Sequence, residues 1–417
     1  MLCLKFFIIL TYLTGRSWTF SDYIDPHFIG QRYVVTHLME WKYSDIALEC
    51  ERFLGPHGYG GVQLSPVNEH AVLDRRPWYE RYQPVSYKIQ TRSGNEHEFR
   101  DMVHRCNKAG VRIYVDVVLN HMTGGQKGYG TAGSEYDGNS MSYPGVPFGI
   151  NDFHGHESCP TDNLEIYDYD NSVQARNCRL SGLRDLKQSS DYVRTKQIDF
   201  LNHLIDIGVA GFRSDASKHM WPGDLKAIYE KLHFLNTSYF SPNSKPFIYH
   251  EVIYYGGNNG IKPNEYTSLG RVIEFHYNSE LTRAFRGSYE LKYLRNFGEE
   301  WGLLSSFNAL VMVDSHDLQR GHTGNLNQNI NFFNSKVLKT ATAFMLAWPY
   351  GIPRIMSSYN WPQKIKVCFN FFSLSLSLSL SLSLSLSLFL KLSIFFEENF
   401  CFKYFCINRT VMMKTIG

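Results

Sequence analysis

The feature that most constrains the fold of this 417-residue chain is a regular alternation of short apolar runs with helical patterns. The runs are rich in β-branched and aromatic residues, which is typical of strands covered on both faces. They are VVTHL (from Val34), GVQLSP (from Gly61), RIYVDVV (from Arg112), VAGFRSD (from Val209), FIYHEV (from Phe247), RVIEF (from Arg271), ALVMVDS (from Ala309) and RIMSS (from Arg354).

Eight strand–helix alternations predict an α/β fold, a (β/α)8 barrel of parallel strands with helices outside. A doubly wound open sheet is the competing interpretation, but polar residues gather at the C-terminal ends of the runs, which favours the barrel. One helix is predicted between Asp191 and Gly208, because its apolar residues share one face at helical spacing. These residues are Val193, Phe200, Leu201, Leu204 and Ile205.

One connection is much longer than the others. The third run ends near Val118, and about 70 residues rich in Gly, Tyr, Asn and Ser precede the helix at Asp191, which is too long for a structureless loop in a compact domain. We therefore expect a loop-rich domain at residues 119–185, inserted over the barrel mouth. The barrel would then comprise residues 18–118 and 186–364.

The two ends of the chain differ from this pattern. Residues 1–17 join a short basic start to eight apolar residues, Phe6 to Leu13, and then to small residues. This indicates a secretory signal too short to span a bilayer, with a buried first strand as the alternative. Near the other end, Ser373–Leu388 repeats Ser-Leu eight times. We interpret residues 365–417 as an aberrant low-complexity tail from read-through or mis-splicing. An aggregation-prone strand and a poor membrane helix are the alternatives.

Cysteine usage fits a secreted protein, because secretion permits disulfides. Four cysteines lie outside the predicted signal and tail, and three pairings are open to them. We favour Cys50–Cys106 and Cys159–Cys178. Zinc is the alternative, but no CxxC or HxxxH spacing supports it. A net charge of +3 gives no reason to expect nucleic acid or a membrane as partner, and we expect an extracellular monomer.

Three carboxylates follow predicted strands. Arg213 and Asp215 alternate along one run and point to the same side, so Arg213 is expected to keep Asp215 ionised. Glu251 ends the next run, and Asp317 lies just past the seventh. Three carboxylates at one barrel face can converge on one sugar, and glycoside hydrolysis needs such a set. Each alone could be an ion-paired rim residue.

Four ordered segments carry a more specific signal. They are VDVVLNH (Val115 to His121), GFRSDASKH (Gly211 to His219), HEV (His250 to Val252) and VDSHD (Val313 to Asp317). Together with HLMEWKYSDIALECERFL and LNHLIDIGVAGFR, they resemble the animal α-amylases, and the similarity runs from about Tyr33 to Trp361. The resemblance implies endohydrolysis of α-1,4-glucosidic bonds in starch or glycogen by a retaining double displacement.

The resemblance also implies residue roles. Asp215 would be the nucleophile, Glu251 the general acid and then base, and Asp317 the carboxylate that distorts and stabilises the sugar. Asp116 and Arg81 would support the cleft. The positions that match substrate contacts are Trp78, Tyr82, Gln83, His121, Lys218, His316 and His322. The positions that match calcium ligands are Asn120, Arg176, Asp185 and His219, with Arg176 and His219 contributing backbone carbonyls; hard oxygen ligands of this kind suit Ca²⁺.

The chain departs from the family pattern at several points. A chloride site would use Arg213 and Arg354, but Ser315 stands where the family usually has Asn, which predicts a weakened site. Gln90 occupies a frequent Cys position, so one disulfide is missing. The resemblance stops before the last barrel helix and the C-terminal β-sandwich domain. A truncated inactive product, a non-catalytic binding protein and an exo-acting α-glucosidase are therefore the alternative interpretations.

Overall fold

A computed structural model describes residues 22–257, 260–322 and 329–357 of the chain. The predicted signal at residues 1–17, the Ser-Leu repeat and the rest of the predicted tail lie outside these residues. The strands are β1 (Val35–His37), β2 (Gly61–Gln63), β3 (Asn68–His70), β4 (Pro84–Thr91), β5 (Gly94–Asn95), β6 (Arg112–Val117), β7 (Lys127–Tyr129), β8 (Glu135–Asp137), β9 (Gly211–Ser214), β10 (Phe247–His250), β11 (Arg271–Ile273), β12 (Ala309–Met312) and β13 (Ile352–Met356).

Eight parallel strands close into a barrel in the order β1-β13-β12-β11-β10-β9-β6-β2. Closure is made at β1, where Val35 pairs with Gly61 of β2 on one side and with Arg354 of β13 on the other. Seven barrel strands lie within the runs identified in the sequence, and β13 begins two residues before its run, at Ile352; almost all residues of the eight strands are buried. The predicted (β/α)8 barrel is therefore confirmed, and the open sheet is excluded.

Helices connect the barrel strands. The α-helices are α1 (Tyr43–Glu49), α2 (Glu96–Lys108), α3 (Ser172–Asn177), α4 (Asp191–Ile207), α5 (Pro222–Tyr229), α6 (Phe275–Phe285), α7 (His316–Arg320) and α8 (Ser335–Ala347). A π-helix spans Cys50–Leu54, and 3-10 helices span Trp78–Tyr82, Ile150–Asp152, Ser217–His219, Pro263–Glu265, Leu291–Asn296, Glu299–Trp301, Ser306–Asn308 and Phe332–Asn334. None of the helices among the described residues is long and apolar enough to cross a membrane.

The helix α4 illustrates how local sequence sets these elements. Its five predicted core-facing residues are all buried. It ends at Gly208, whose φ of 114° lies in the left-handed region that glycine adopts without steric cost. At the start of α2, Asn95 accepts from the backbone of Glu98 while the Glu98 side chain accepts from the Asn95 N–H, a capping box that fixes the first turn.

The long connection between β6 and α4 has secondary structure of its own. It contains the antiparallel pair β7–β8 and the helix α3, and its buried apolar side chains pack with Ala71, Val85 and Val193 from outside the connection. One isolated bridge joins its two ends, His121 with Asp185, and another joins Phe153 to Leu186. The long connection predicted after the third barrel strand is therefore structured, and its description as a separate domain stays a prediction. Its buried apolar residues include Tyr136, Tyr143, Phe148 and Phe153.

Both favoured disulfides are present. Cys50 and Cys106 join the segment after α1 to α2, and Cys159 and Cys178 close a loop within the insertion. The zinc alternative is excluded for these four cysteines, because all of them are used in disulfides.

Candidate active site

The barrel brings the ends of three neighbouring strands together around one buried guanidinium. Asp116 in β6 and Arg213 in β9 are register partners. Asp215 directly follows β9, and Glu251 directly follows β10. Arg213 Nη1 donates to Asp116 Oδ1 (2.6 Å) and to Asp215 Oδ1 (2.8 Å), and Arg213 Nη2 donates to Glu251 Oε1 (2.5 Å). Two of the predicted catalytic carboxylates therefore contact the same cation.

The backbone after Asp215 fixes the second oxygen of Glu251. Ala216 has a φ of 49°, in the left-handed region that a residue with a β-carbon adopts only under constraint. This turn directs the Ala216 N–H at Glu251 Oε2, at 2.9 Å. The Lys218 N–H also donates to the backbone carbonyl of Glu251, at 3.2 Å. Both carboxylate oxygens of Glu251 are consequently held by donors.

The pKa of Asp215 depends on more than its spacing to Arg213. Burial and the negative charge of Glu251 raise the pKa of Asp215 well above its ordinary value, although Arg213 favours the anion. Burial also raises the pKa of Asp116, against the opposing effect of Arg213. The expectation that Arg213 keeps Asp215 ionised therefore stays a prediction, because burial and Glu251 act against Arg213 at this carboxyl group.

Asp317 reaches the same site from α7, which follows β12. Burial first, and then the negative charge of Glu251, raise the pKa of Asp317 to about 7. Its Oδ2 lies 3.3 Å from His316 Nε2, and its side chain keeps 20% exposure at the barrel mouth. Asp317 therefore lies close enough to Glu251 and Arg213 for their charges to act on its carboxyl group.

Aromatic rings form a wall beside the carboxylates. Tyr82 stacks on His316 with ring centroids 5.2 Å apart and an interplanar angle of 4°. The Trp78 ring lies at a steep angle to the rings of His316 (centroids 5.5 Å apart, 72°) and His322 (5.0 Å, 80°). The Tyr82 hydroxyl donates to Asp116 Oδ2 at 3.0 Å. The half-buried rings of Trp78 and Tyr82 suit the apolar faces of sugars, and the structure brings all four predicted residues of this wall together.

The other predicted substrate residues lie along the same cleft. His121 Nε2 is 2.9 Å from the Tyr82 carbonyl, and burial lowers the pKa of His121 to about 4. Gln83 Oε1 accepts from Gln126 Nε2 at 3.0 Å, which ties the wall to the insertion. Lys218 is half-buried, and burial lowers its pKa.

A buried ionic network beneath the wall was not identified in the sequence. Glu80, on the underside of the Trp78–Tyr82 helix, accepts from Arg76 Nε (2.9 Å) and Arg92 Nη1 (3.2 Å). Arg92 Nε in turn donates to Glu40 Oε2 at 2.5 Å. Arg81, predicted to support the cleft, donates to Ser93 Oγ and the Pro66 carbonyl. No local pattern in PWYERYQ distinguishes these buried charges from a solvated face, because their partners are distant in sequence.

The predicted calcium residues fall into two pairs, Asn120 with Asp185 and Arg176 with His219. Asn120 Oδ1 and Asp185 Oδ1 are both buried without a hydrogen-bond partner. His219 Nδ1 lies 2.7 Å from the Ala175 carbonyl, which brings the segments of Arg176 and His219 together. Two buried, unsatisfied oxygens fit a hard cation. In the described part of the chain no cluster of three or more His, Cys, Asp or Glu could hold a metal, so such a site would depend on amide and carbonyl oxygens.

The predicted chloride residues are only partly free to bind an anion. Arg213 Nε and Arg354 Nε are buried without a partner, which fits an anion between them. The remaining Arg354 nitrogens donate to Gln63 Oε1 at 2.8 Å and to Met312 Sδ at 2.7 Å. Ser315 caps α7, because its Oγ accepts from the Leu318 N–H at 3.2 Å.

Comparisons with known proteins agree with this arrangement. The family described as "Alpha amylase, catalytic domain" matches residues 53–249. The α-amylase of Dermatophagoides pteronyssinus is 72% identical over 344 residues, which cover 82% of this chain and 69% of that protein. The α-amylase of Acarus siro is 67% identical over 350 residues, covering 83% of this chain and 67% of that protein.

A solved structure gives the same result. The complex of a glutamate-to-glutamine variant of α-amylase I from Eisenia fetida with maltohexaose superimposes with a TM-score of 0.80, at 52% identity. The match covers 83% of this chain and 70% of that one. With a barrel that carries three converging carboxylates and relatives at this level of identity, the chain belongs to the α-amylase family of glycoside hydrolases.

Proposed function

We propose that this chain hydrolyses internal α-1,4-glucosidic bonds of starch, glycogen and maltooligosaccharides with retention of the anomeric configuration. The observation that carries the proposal is the guanidinium of Arg213, which contacts Asp215 and Glu251 at once. Retaining glycosidases need two carboxyl groups close enough to act on one anomeric carbon. The maltohexaose bound to the relative from Eisenia fetida supports a glucan substrate.

The two carboxyl groups would act in sequence. Asp215 attacks the anomeric carbon while Glu251 gives its proton to the departing glycosidic oxygen, so that a glycosyl–Asp215 ester forms as the bond breaks. Glu251 then removes a proton from water, and the resulting hydroxide displaces Asp215. Asp317 would bind and distort the sugar, and its negative charge would stabilise the oxocarbenium-like transition state.

The mechanism needs one protonated carboxyl group, Glu251, and one ionised carboxyl group, Asp215. The negative charge of Glu251 contributes to the raised pKa of Asp215. Once Glu251 carries the proton, that repulsion disappears and Asp215 can remain an anion on Arg213. The reactive form carries its proton on Glu251 and its negative charge on Asp215.

Isosteric amides test the two roles. D215N and E251Q should each lower kcat on starch by at least about a thousandfold, because each removes a nucleophile or a proton donor. The first product released by the wild type should be the α-anomer, as read by NMR before mutarotation. D101N, on the exposed face of α2 beside Arg105, is the matched control and should keep full activity. A β-anomer as first product, or more than a tenth of wild-type turnover in either amide variant, would contradict the proposal.

We further propose that Asn120, Asp185 and the backbone carbonyls of Arg176 and His219 hold calcium. The cation would supply a positive charge that joins the insertion to the barrel. We also propose a chloride site at Arg213 and Arg354 that Ser315 weakens, because its short side chain already caps α7. The N-terminal signal pattern and two disulfides support secretion, with residues 119–185 as the inserted domain.

A further inference from the structure

The wall that carries Trp78 contacts the helix that carries Asp317 at two points. Trp78 and Tyr82 lie four residues apart on one element, and His316 and Arg320 lie four residues apart on α7. His316 stacks on Tyr82, and the Arg320 guanidinium carbon lies over the Trp78 ring, 5.1 Å from its centroid. The two short helices therefore face each other through matched pairs of side chains.

Hydrogen bonds within and just after α7 fix the position of Arg320. Its Nη1 donates to the His316 carbonyl at 2.8 Å, so the guanidinium is tied to the first residue of its own helix. Gly321, with a φ of 72°, ends α7 directly afterwards, and the His322 N–H returns to the Asp317 carbonyl at 3.1 Å. The position of the guanidinium over Trp78 is thereby coupled to the backbone on either side of Asp317.

We propose that Arg320 is a positioning residue, which holds the Trp78 ring at a fixed place relative to Asp317 and leaves one ring face for a glucosyl unit. The inference rests on the proposed glucanase function. A ring has two faces, and a guanidinium stacked on one of them stabilises the ring by a cation–π interaction. A sugar can then stack only on the other face, at a distance from Asp317 that α7 sets.

The charge of Arg320 acts on Asp317 as well. Arg320 lowers the pKa of Asp317, in the same direction as Arg213 and against burial and Glu251. The groups facing Asp317 are Glu251, Arg213, Asp116, Tyr82, His316 and Arg320 itself. Loss of the Arg320 cation should therefore move the acid limb of the kcat/KM profile to higher pH, whereas a merely structural residue would leave that limb in place.

A double-mutant cycle on the full chain tests the coupling. The dissociation constant of maltohexaose is measured by calorimetry in the D215N background, with R320M, R320K, W78L and the double variants. R320M should weaken binding about threefold to thirtyfold, the range expected for a cation–π contact between exposed and desolvated limits. R320K keeps a cation, so its dissociation constant should lie between that of R320M and that of the D215N parent. In the W78L background, all substitutions at position 320 should agree within about twofold.

The outcomes separate this inference from the proposed function. Additive effects of R320M and W78L, or an unchanged acid limb in R320M, would overturn the positioning role while leaving the hydrolase assignment intact. Starch hydrolysis by D215N at the wild-type rate would instead overturn the proposed function. Should R320M fail to fold, R320K decides, because a change in its affinity that persists in W78L would exclude coupling through the Trp78 ring.

Discussion

Replacement of Arg213 by methionine tests whether one cation organises the active site. The side chain is 2% exposed, and it donates charge-assisted hydrogen bonds to Asp116, Asp215 and Glu251. Methionine keeps much of the volume and removes every donor. Removing one partner from a buried, hydrogen-bonded ion pair costs about 3–5 kcal/mol. We expect R213M to lose at least this much unfolding free energy at pH 8.

The loss should depend on pH in a defined direction. Without Arg213, the pKa values of Asp116 and Asp215, already raised by burial, rise further. A carboxyl group whose folded pKa exceeds its unfolded pKa destabilises the fold as pH rises between the two values, and the loss is complete above the folded pKa. The difference in stability between wild type and R213M should therefore be smaller at pH 5 than at pH 8. At pH 7, kcat should fall at least about a hundredfold, because the Asp215 anion loses its counter-charge.

Urea denaturation at pH 5 and pH 8 and starch hydrolysis at pH 7 are the measurements. R271M is the matched control, because the hydrogen bonds that Arg271 donates within the described residues go to neutral carbonyls, including that of Ile24 at 3.1 Å. It should lose stability equally at both pH values and keep its turnover. Equal losses for R213M at pH 5 and pH 8, or full activity, would refute the view that Arg213 balances the buried carboxylates.

Three further predictions address calcium, the insertion and a buried carboxyl group outside the proposed chemistry. D185N should reduce the rise in Tm that calcium gives the wild type, as measured by calorimetry with chelator and with added calcium. An unchanged rise would contradict the assignment of Asp185 as a calcium ligand. Replacing both Cys159 and Cys178, which are 19 residues apart, by serine should cost about 3 kcal/mol of unfolding free energy in urea titrations, because the disulfide restricts the unfolded loop between them. A cost near zero would contradict this reasoning. Burial raises the pKa of Asp314 to about 7, so this group should destabilise the fold as pH rises from about 4 to about 7, and D314N should lessen that loss in Tm; an identical pH dependence would contradict it.

Much of the fold could be predicted because its signals are local. Each barrel strand is a short apolar run, and the alternation with amphipathic helices is visible without knowledge of any partner. Asp215 and Glu251 come directly after their strands, so the barrel topology alone predicts that they meet at one face. The helix α4 was predicted within one residue of its end because its apolar spacing stops at Gly208.

The contacts that assemble the wall could not be predicted in this way. The network of Glu40, Arg92 and Glu80 joins residues that are 52 and 12 positions apart, and the pairing of Arg320 with Trp78 spans most of the barrel sequence. A charged residue beside aromatic residues has the same local signature on an exposed face as in a buried cluster. The folded barrel brings these segments together, and local sequence does not record that arrangement.

The electrostatics of the carboxylate cluster could not be derived from local spacing. For a single Arg-x-Asp pair, the cation would keep Asp215 charged. In the barrel the same guanidinium also faces Asp116 and Glu251, and burial removes the water that would stabilise three anions. Burial and repulsion therefore raise the pKa values of Asp116 and Asp215, despite the nearby cation. In the proposed mechanism, a proton placed on Glu251 supplies the acid and relieves the repulsion that hinders Asp215 from being the anion. A single proton thus leaves an acid and a nucleophile on two carboxyl groups that contact the same arginine.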